Sequence, residues 1–116
     1  MKIRFNVAKD LTKLISEKTR LVIDDTLPDA NISNVFEKIY NGLSQLEDIG
    51  DTETNFNIAK ELTILAVNID PIAYESNTAI DDLINCFKTI YLKITSLEND
   101  YHQKETEKML NFYENL

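Results

Sequence analysis

Asp51, Glu53 and Asn55 stand at the one-three-five spacing with which a calcium-binding EF-hand loop begins. Such a loop needs glycine at its sixth position and a bidentate glutamate at its twelfth, and here those are Phe56 and Leu62. The spacing therefore reads as a polar helix start. Asp24-Asp25 and Asp81-Asp82 are paired carboxylates. Adjacent residues on a helix point about 100° apart, so neither pair makes a shared acid–base device. They read as solvated, and the second pair as matched to a helix dipole. Cys86 and His102 are the one cysteine and the one histidine, sixteen residues apart. On one straight helix that is at least about 20 Å, too far for a nucleophile and its base. No further cysteine or histidine completes a zinc ligand set. No glycine-rich loop offers itself to a phosphate. The expectation is a chain with no catalytic residue, no metal and no cofactor, and not an enzyme.

Tyr40, Tyr74, Tyr91, Tyr101 and Tyr113 are the remaining residues with something to offer. In a bundle without tryptophan, tyrosines read first as edge-of-core residues with the hydroxyl in water. The stretch after Asn99 is the exception. Tyr101, Met109, Phe112 and Tyr113 lie among the acids Glu105, Glu107 and Glu114. Apolar groups set in an acidic surround are what a protein-binding surface looks like. The expected partner-binding residues are Tyr101, Glu105, Met109, Phe112 and Tyr113.

The elements that must position these residues are helical. Ile80, Leu83, Phe87, Ile90, Ile94, Leu97 and Tyr101 recur in steps of three and four, one stripe of a helix. Ile84 and Tyr91 widen the stripe to the breadth of a bundle helix. Thr78 followed by Asp81 resembles a capping box. After Tyr101 the phase changes, because positions 104 and 108 are both lysine. An unbroken helix from Thr78 to Tyr113 would be about 54 Å long, against a radius of gyration of about 13 Å for a compact domain of this size. A break or bend near Glu98–Tyr101 is expected, with a short fifth helix beyond it.

Three helices precede this spine. Ile3, Phe5 and Val7 alternate with Lys2, Arg4 and Asn6, which reads as an extended lead-in, with Asn6 capping a helix from Val7 to about Ile23. Residues 24 to 30 contain Pro28 and read as a loop. Asp29 or Asn31 then caps a helix whose apolar face is Ile32, Val35, Phe36, Ile39, Leu43 and Leu46. Gly42 inside it costs up to about 1 kcal/mol against alanine, which points to close packing. Gly50 suits a left-handed helix end. Asp51 or Thr52 opens the third helix, which stops by Asp70 before Pro71. Residues 72 to 77 connect it to the spine, with Tyr74 pinning the connector to the bundle. The expected core is Leu11, Leu14, Val35, Phe36, Ile39, Leu43, Leu62, Leu65, Leu83, Phe87, Ile90 and Ile94.

Composition bounds the rest. At 116 residues with two glycines and two prolines, the chain is one domain with few turns, which argues against an all-β fold. Up to residue 27, six cations face four acids, a net +2; beyond it six lysines face sixteen acids, a net −10, which together give −8. Such a body repels nucleic acid and anionic lipid and suits a basic protein partner or mimicry of nucleic acid. A single cysteine fits a reducing compartment. No apolar run approaches the roughly 20 residues that cross a bilayer, and MKIRFNVAKD is no signal peptide. A cytoplasmic protein is expected.

The stretch Val35-Phe36-Glu37-Lys38-Ile39-Tyr40-Asn41-Gly42-Leu43, with a later tyrosine-bearing helix, resembles the immunity proteins of pediocin-like (class IIa) bacteriocins. The likeness covers roughly Asn31 to Ile94 and lies in helix order, loop placement and apolar pattern. It implies a bacterial protein that protects its producer from the cytosolic side. The implied target is a complex of the bacteriocin with its membrane sugar-transporter receptor, and the C-terminal half sets specificity.

These readings converge on an all-α chain, an antiparallel up-down four-helix bundle in a single domain. The expected function is non-catalytic binding, as a bacteriocin immunity or inhibitor protein acting through its C-terminal half. The alternatives are an acidic phage- or plasmid-encoded decoy of a nucleic-acid-binding enzyme, and a small helical scaffold or secretion chaperone. A decoy should release its partner steeply as salt rises, whereas apolar docking should not.

Overall fold

The computed structural model describes residues 2–18, 28–70 and 78–115. They form four helices: α1 (Ile3–Lys18), α2 (Pro28–Ser44), α3 (Thr52–Ile69) and α4 (Ala79–Glu114). Among the described residues there is no strand and no separate fifth helix. The connector carrying Tyr74, Asp24-Asp25 and the expected end of the first helix near Ile23 lie outside the described residues.

Contacts between named side chains fix how the helices run. The Arg4 guanidinium at the start of α1 reaches the Leu43 carbonyl at the end of α2, so these two are antiparallel. Asn55 near the start of α3 meets Glu98 well along α4, so these are antiparallel too. Between the two hairpins the direction is shared. Lys38 pairs with Asp81 at 3.2 Å, and further on Lys88 donates to Gln45 at 2.9 Å. Both contacts advance together along α2 and α4. Arg4 over Phe56 and Lys60 with Asp10 do the same for α1 and α3. The chain alternates up and down, while the order around the bundle is α1, α2, α4, α3.

Apolar side chains at helical spacing build the core. Val7, Leu11 and Ile15 of α1, Ile39 and Leu43 of α2, Phe56 and Val67 of α3, and Leu83, Phe87 and Tyr91 of α4 are fully buried. Of the expected core, Leu14 and Val35 are also buried, and Phe36, Ile90 and Ile94 pack against its margin. Leu62 and Leu65 are not in it, at 42% and 54% exposed. The inner face of α3 is instead Thr52, Asn55, Phe56, Ala59, Thr63 and Val67. Thr63 can be buried because its hydroxyl donates to the Ala59 carbonyl at 2.7 Å, one turn back. Thr12 does the same to Ala8 at 2.7 Å. Among the described residues no buried side-chain nitrogen or oxygen lacks a partner.

Other boundaries differ from expectation for local reasons. α1 starts at Ile3, not after an extended lead-in, and Asn6 lies within it. Ile3, Val7 and Leu11 are four apart and all buried, so the helical stripe wins over the alternating one. Phe5 stays half-exposed and stacks on Tyr40 at 4.6 Å. α2 starts at Pro28, a residue suited to a first turn, so Asp29 and Asn31 lie inside it instead of capping it. α2 ends at Ser44, well before Gly50. Gly50 is left-handed, at φ +62°, but serves the approach to α3 rather than the end of α2.

The largest correction concerns α4. It runs unbroken for 36 residues. Residues 98 to 114 hold no glycine or proline, and a shift of apolar phase does not break a helix. It only turns the helix out of the bundle. The molecule measures 71 × 29 × 16 Å, with a radius of gyration of 18.0 Å.

Gly42 marks the tightest crossing. A Cβ there would lie 2.8 Å from Ile84 Cγ2, on a branched and buried side chain that has no room to withdraw. Gly42→Ala should therefore destabilise the fold by about 1–2 kcal/mol, overpacking outweighing the gain in helix propensity. A urea unfolding curve with a lower midpoint checks this.

Candidate functional site

α4 leaves the bundle at Glu98. The Asp51 backbone N–H donates to Glu98 Oε1 at 3.4 Å. The Asn55 side-chain amide donates a short hydrogen bond to Oε2. His102 Nε2 lies 3.7 Å from Oε1, one turn along α4. Gly50 leaves the space that this carboxylate fills, since a Cβ there would sit 2.7 Å from Oε1. The Asn55 hydrogen bond, with the Asp51 N–H and His102 and against an opposing burial penalty, holds the Glu98 carboxyl below its ordinary value of 4.5. These contacts fasten the start of α3 to α4 at the point of exit.

A carboxyl whose folded-state pKa is depressed stabilises the fold above the unfolded value and loses that effect as pH falls through the folded one. Glu98→Gln should therefore lower the melting temperature at pH 7. The gap to the parent chain should close as the pH drops below 4.5. Melting curves of both proteins across that range test it.

Beyond Glu98 every described residue is exposed. The free part of α4, from Asn99 to Glu114, is about 24 Å long. Tyr101, Met109, Phe112 and Tyr113 are 61%, 58%, 64% and 64% exposed. At 100° per residue, Tyr101, Glu105 and Phe112 fall within about 40° of one another, and Met109 within about 80° of Tyr101. The helix thus brings these four onto one face. Tyr113 lies further round, edge-on to Phe112 with ring centroids 5.8 Å apart. Glu105 pairs with Lys108 at 3.7 Å on the same side. Leu97 at the root of this segment and Leu110 behind it are exposed as well.

The remaining sequence candidates fall to structural roles. Asp51 is the N-cap of α3, accepting from the Thr54 N–H at 3.2 Å and the Thr54 hydroxyl at 2.8 Å. Asp81 pairs with Lys38, and Asp82 accepts from the Thr78 hydroxyl at 3.0 Å. Among the described residues no cluster of three histidine, cysteine or acidic side chains could hold a metal. Cys86 and His102 lie on one unbroken helix, about 24 Å apart along its axis. Tyr91 is fully buried, and its hydroxyl donates to the Glu47 carbonyl at 2.8 Å. It is a core residue, not an edge one. An open cleft of about 570 Å³ between α1 and α2 is lined by Lys9, Thr12, Lys13, Ser16, Ile32 and Phe36, among others. Its lining holds neither histidine nor cysteine.

Sequence reading misplaced one feature, expecting Leu62 and Leu65 in the core, and missed another. A second apolar stripe, Ile58, Leu62, Leu65 and Ile69, stands exposed along α3. Its four-three-four spacing is visible in the sequence, but that spacing says nothing about which side faces inward. The second feature is Arg4, whose role depends on a carbonyl 39 residues away.

No protein-family model matches the chain, and neither a curated protein nor a solved structure does. No helix among the described residues is long and apolar enough to cross a membrane.

Proposed function

We propose that the chain is a non-catalytic, cytoplasmic binding protein of the immunity or inhibitor class. It engages a protein partner through the projecting part of α4. The observation that carries this reading is the placement of Tyr101, Met109, Phe112 and Tyr113. Four large apolar side chains stand more than half exposed on a helix segment with no bundle beneath it. Folding gains nothing from them there, whereas binding would. Glu105, Glu107 and Glu114 around them favour a partner with an apolar groove and a basic rim. The likeness of residues 31–94 to the immunity proteins of pediocin-like bacteriocins names the partner to try first, the bacteriocin–receptor complex.

Expression of the chain in a bacterium sensitive to class IIa bacteriocins tests this. The inhibitory dose should rise at least tenfold, and the Tyr101→Ser/Phe112→Ser double variant should lose that protection while melting like the parent. Unchanged sensitivity to every such bacteriocin would sink the immunity reading. Capture of a basic nucleic-acid-binding protein that is lost at high salt would favour an acidic decoy instead.

A further inference from the structure

We infer that the free part of α4 also pairs with the same segment of a second copy of this chain, antiparallel, about a two-fold axis between Thr106 and Glu107. Tyr101, Glu105, Lys108 and Phe112 recur in steps of four, three and four. This is the knob spacing of paired helices, and it reads the same in either direction. Antiparallel pairing about that midpoint sets Tyr101 against Phe112 of the second copy, and Phe112 against its Tyr101. It sets Glu105 against Lys108 and Lys108 against Glu105. Every layer is thus an aromatic pair or an opposite-charge pair, as a self-complementary two-fold interface requires. Parallel pairing would instead set Glu105 on Glu105 and Lys108 on Lys108. Charge therefore selects both the occupant and its direction.

The segment is built to be available. All four side chains are exposed, and Glu105 and Lys108 pair with each other at 3.7 Å within one helix. In the antiparallel pair, the tip of one segment also reaches the root of the other, where Leu97 stands exposed. The paired length from Asn99 to Glu114 is about 24 Å. Two such stripes bury on the order of 1,000 Å² in total, at the low end for specific association. The dimer is accordingly a micromolar one, populated by concentration. This inference goes beyond the proposed function and does not depend on it. Self-association is read on the purified chain alone, whereas protection is read in cells.

The test is sedimentation equilibrium of the full chain from about 1 to about 200 µM at low salt. The mass should rise from 13.4 kDa toward twice that value. Glu105→Lys sets lysine against lysine across the axis, and Lys108→Glu sets glutamate against glutamate. Each should weaken the dimer about tenfold or more. The double variant Glu105→Lys/Lys108→Glu should return to within about threefold of the parent. An equal mixture of the two single variants should associate as tightly as the parent. These side chains are exposed, so helix content should not change. A chain that stays monomeric throughout overturns the proposal. So does a dimer indifferent to the single reversals, which would place the contact elsewhere or make it parallel.

Discussion

Phe87→Ala should leave little folded protein at 37 °C. Phe87 is fully buried on α4, with ring centroids 5.3 Å from Phe56 and 6.3 Å from Tyr91. Phe56 and Tyr91 close the cluster at 4.7 Å. These rings join the first turns of α3 to α4, near the α2–α3 connection that the Tyr91 hydroxyl reaches through Glu47. Truncating one removes its burial and leaves a cavity that stiff neighbours do not fill, at a cost of about 3–5 kcal/mol. Single domains are stable by only about 5–15 kcal/mol. A chain that spends sixteen residues of α4 outside its core belongs in the lower part of that range. Thermal melting followed by circular dichroism should show a midpoint lowered by about 15 °C or more, or no cooperative transition. A drop of less than about 5 °C would mean that this cluster does not hold the bundle together.

Arg4→Ala should cost about 2–3 kcal/mol, far more than an ordinary surface arginine. The carbonyls at and just beyond a helix C-terminus need partners from outside the regular ladder. Arg4, from a different helix, donates to two of them at the end of α2, one of which, Leu43, also accepts from the Leu46 N–H. Its Nε donates to the Leu43 carbonyl at 3.4 Å and its Nη2 to the Leu46 carbonyl at 2.9 Å. The same Nη2 contacts Asp48 at 2.7 Å. The guanidinium also lies 4.9 Å from the centre of the Phe56 ring. A planar fork can serve two carbonyls, a carboxylate and a ring face together, and an ammonium cannot. Arg4→Lys should therefore recover less than half of the loss. Urea midpoints of the three proteins, at unchanged slope, decide it; full recovery by lysine would reduce the role of Arg4 to simple charge.

The parts of this fold that local pattern determines were legible in the sequence. The stripe Ile80, Leu83, Phe87 is helical in the sequence and buried in the structure. The Asp51 cap and the stop of α3 before Pro71 follow from residue chemistry alone. The face of α3 was not legible, because the helix has two apolar stripes. One runs through Phe56, Ala59 and Val67, the other through Ile58, Leu62, Leu65 and Ile69. Side-chain hydrophobicity favours the second. Packing takes the first, where Ala59 and Thr63 allow close approach and Thr63 satisfies its own hydroxyl. The course of α4 was misjudged because a compact shape was assumed. Compactness is a result of burial, and every described residue after Glu98 is exposed. The candidate surface was named from the sequence as a set of residues, and all five stand exposed on α4. The placement of Tyr101, Glu105, Met109 and Phe112 on one face over about three turns depends on the helix not breaking.

We propose that the bundle is a scaffold and that the free part of α4 is the working surface. The most direct measurement compares a chain ending at Asn99 with the full chain, in melting temperature and in protection of a bacteriocin-sensitive cell. The shortened chain should melt within a few degrees of the full one, because every core residue among those described lies before Asn99. It should give no protection. A shortened chain that still protects fully would contradict the claim and move the working surface onto the bundle.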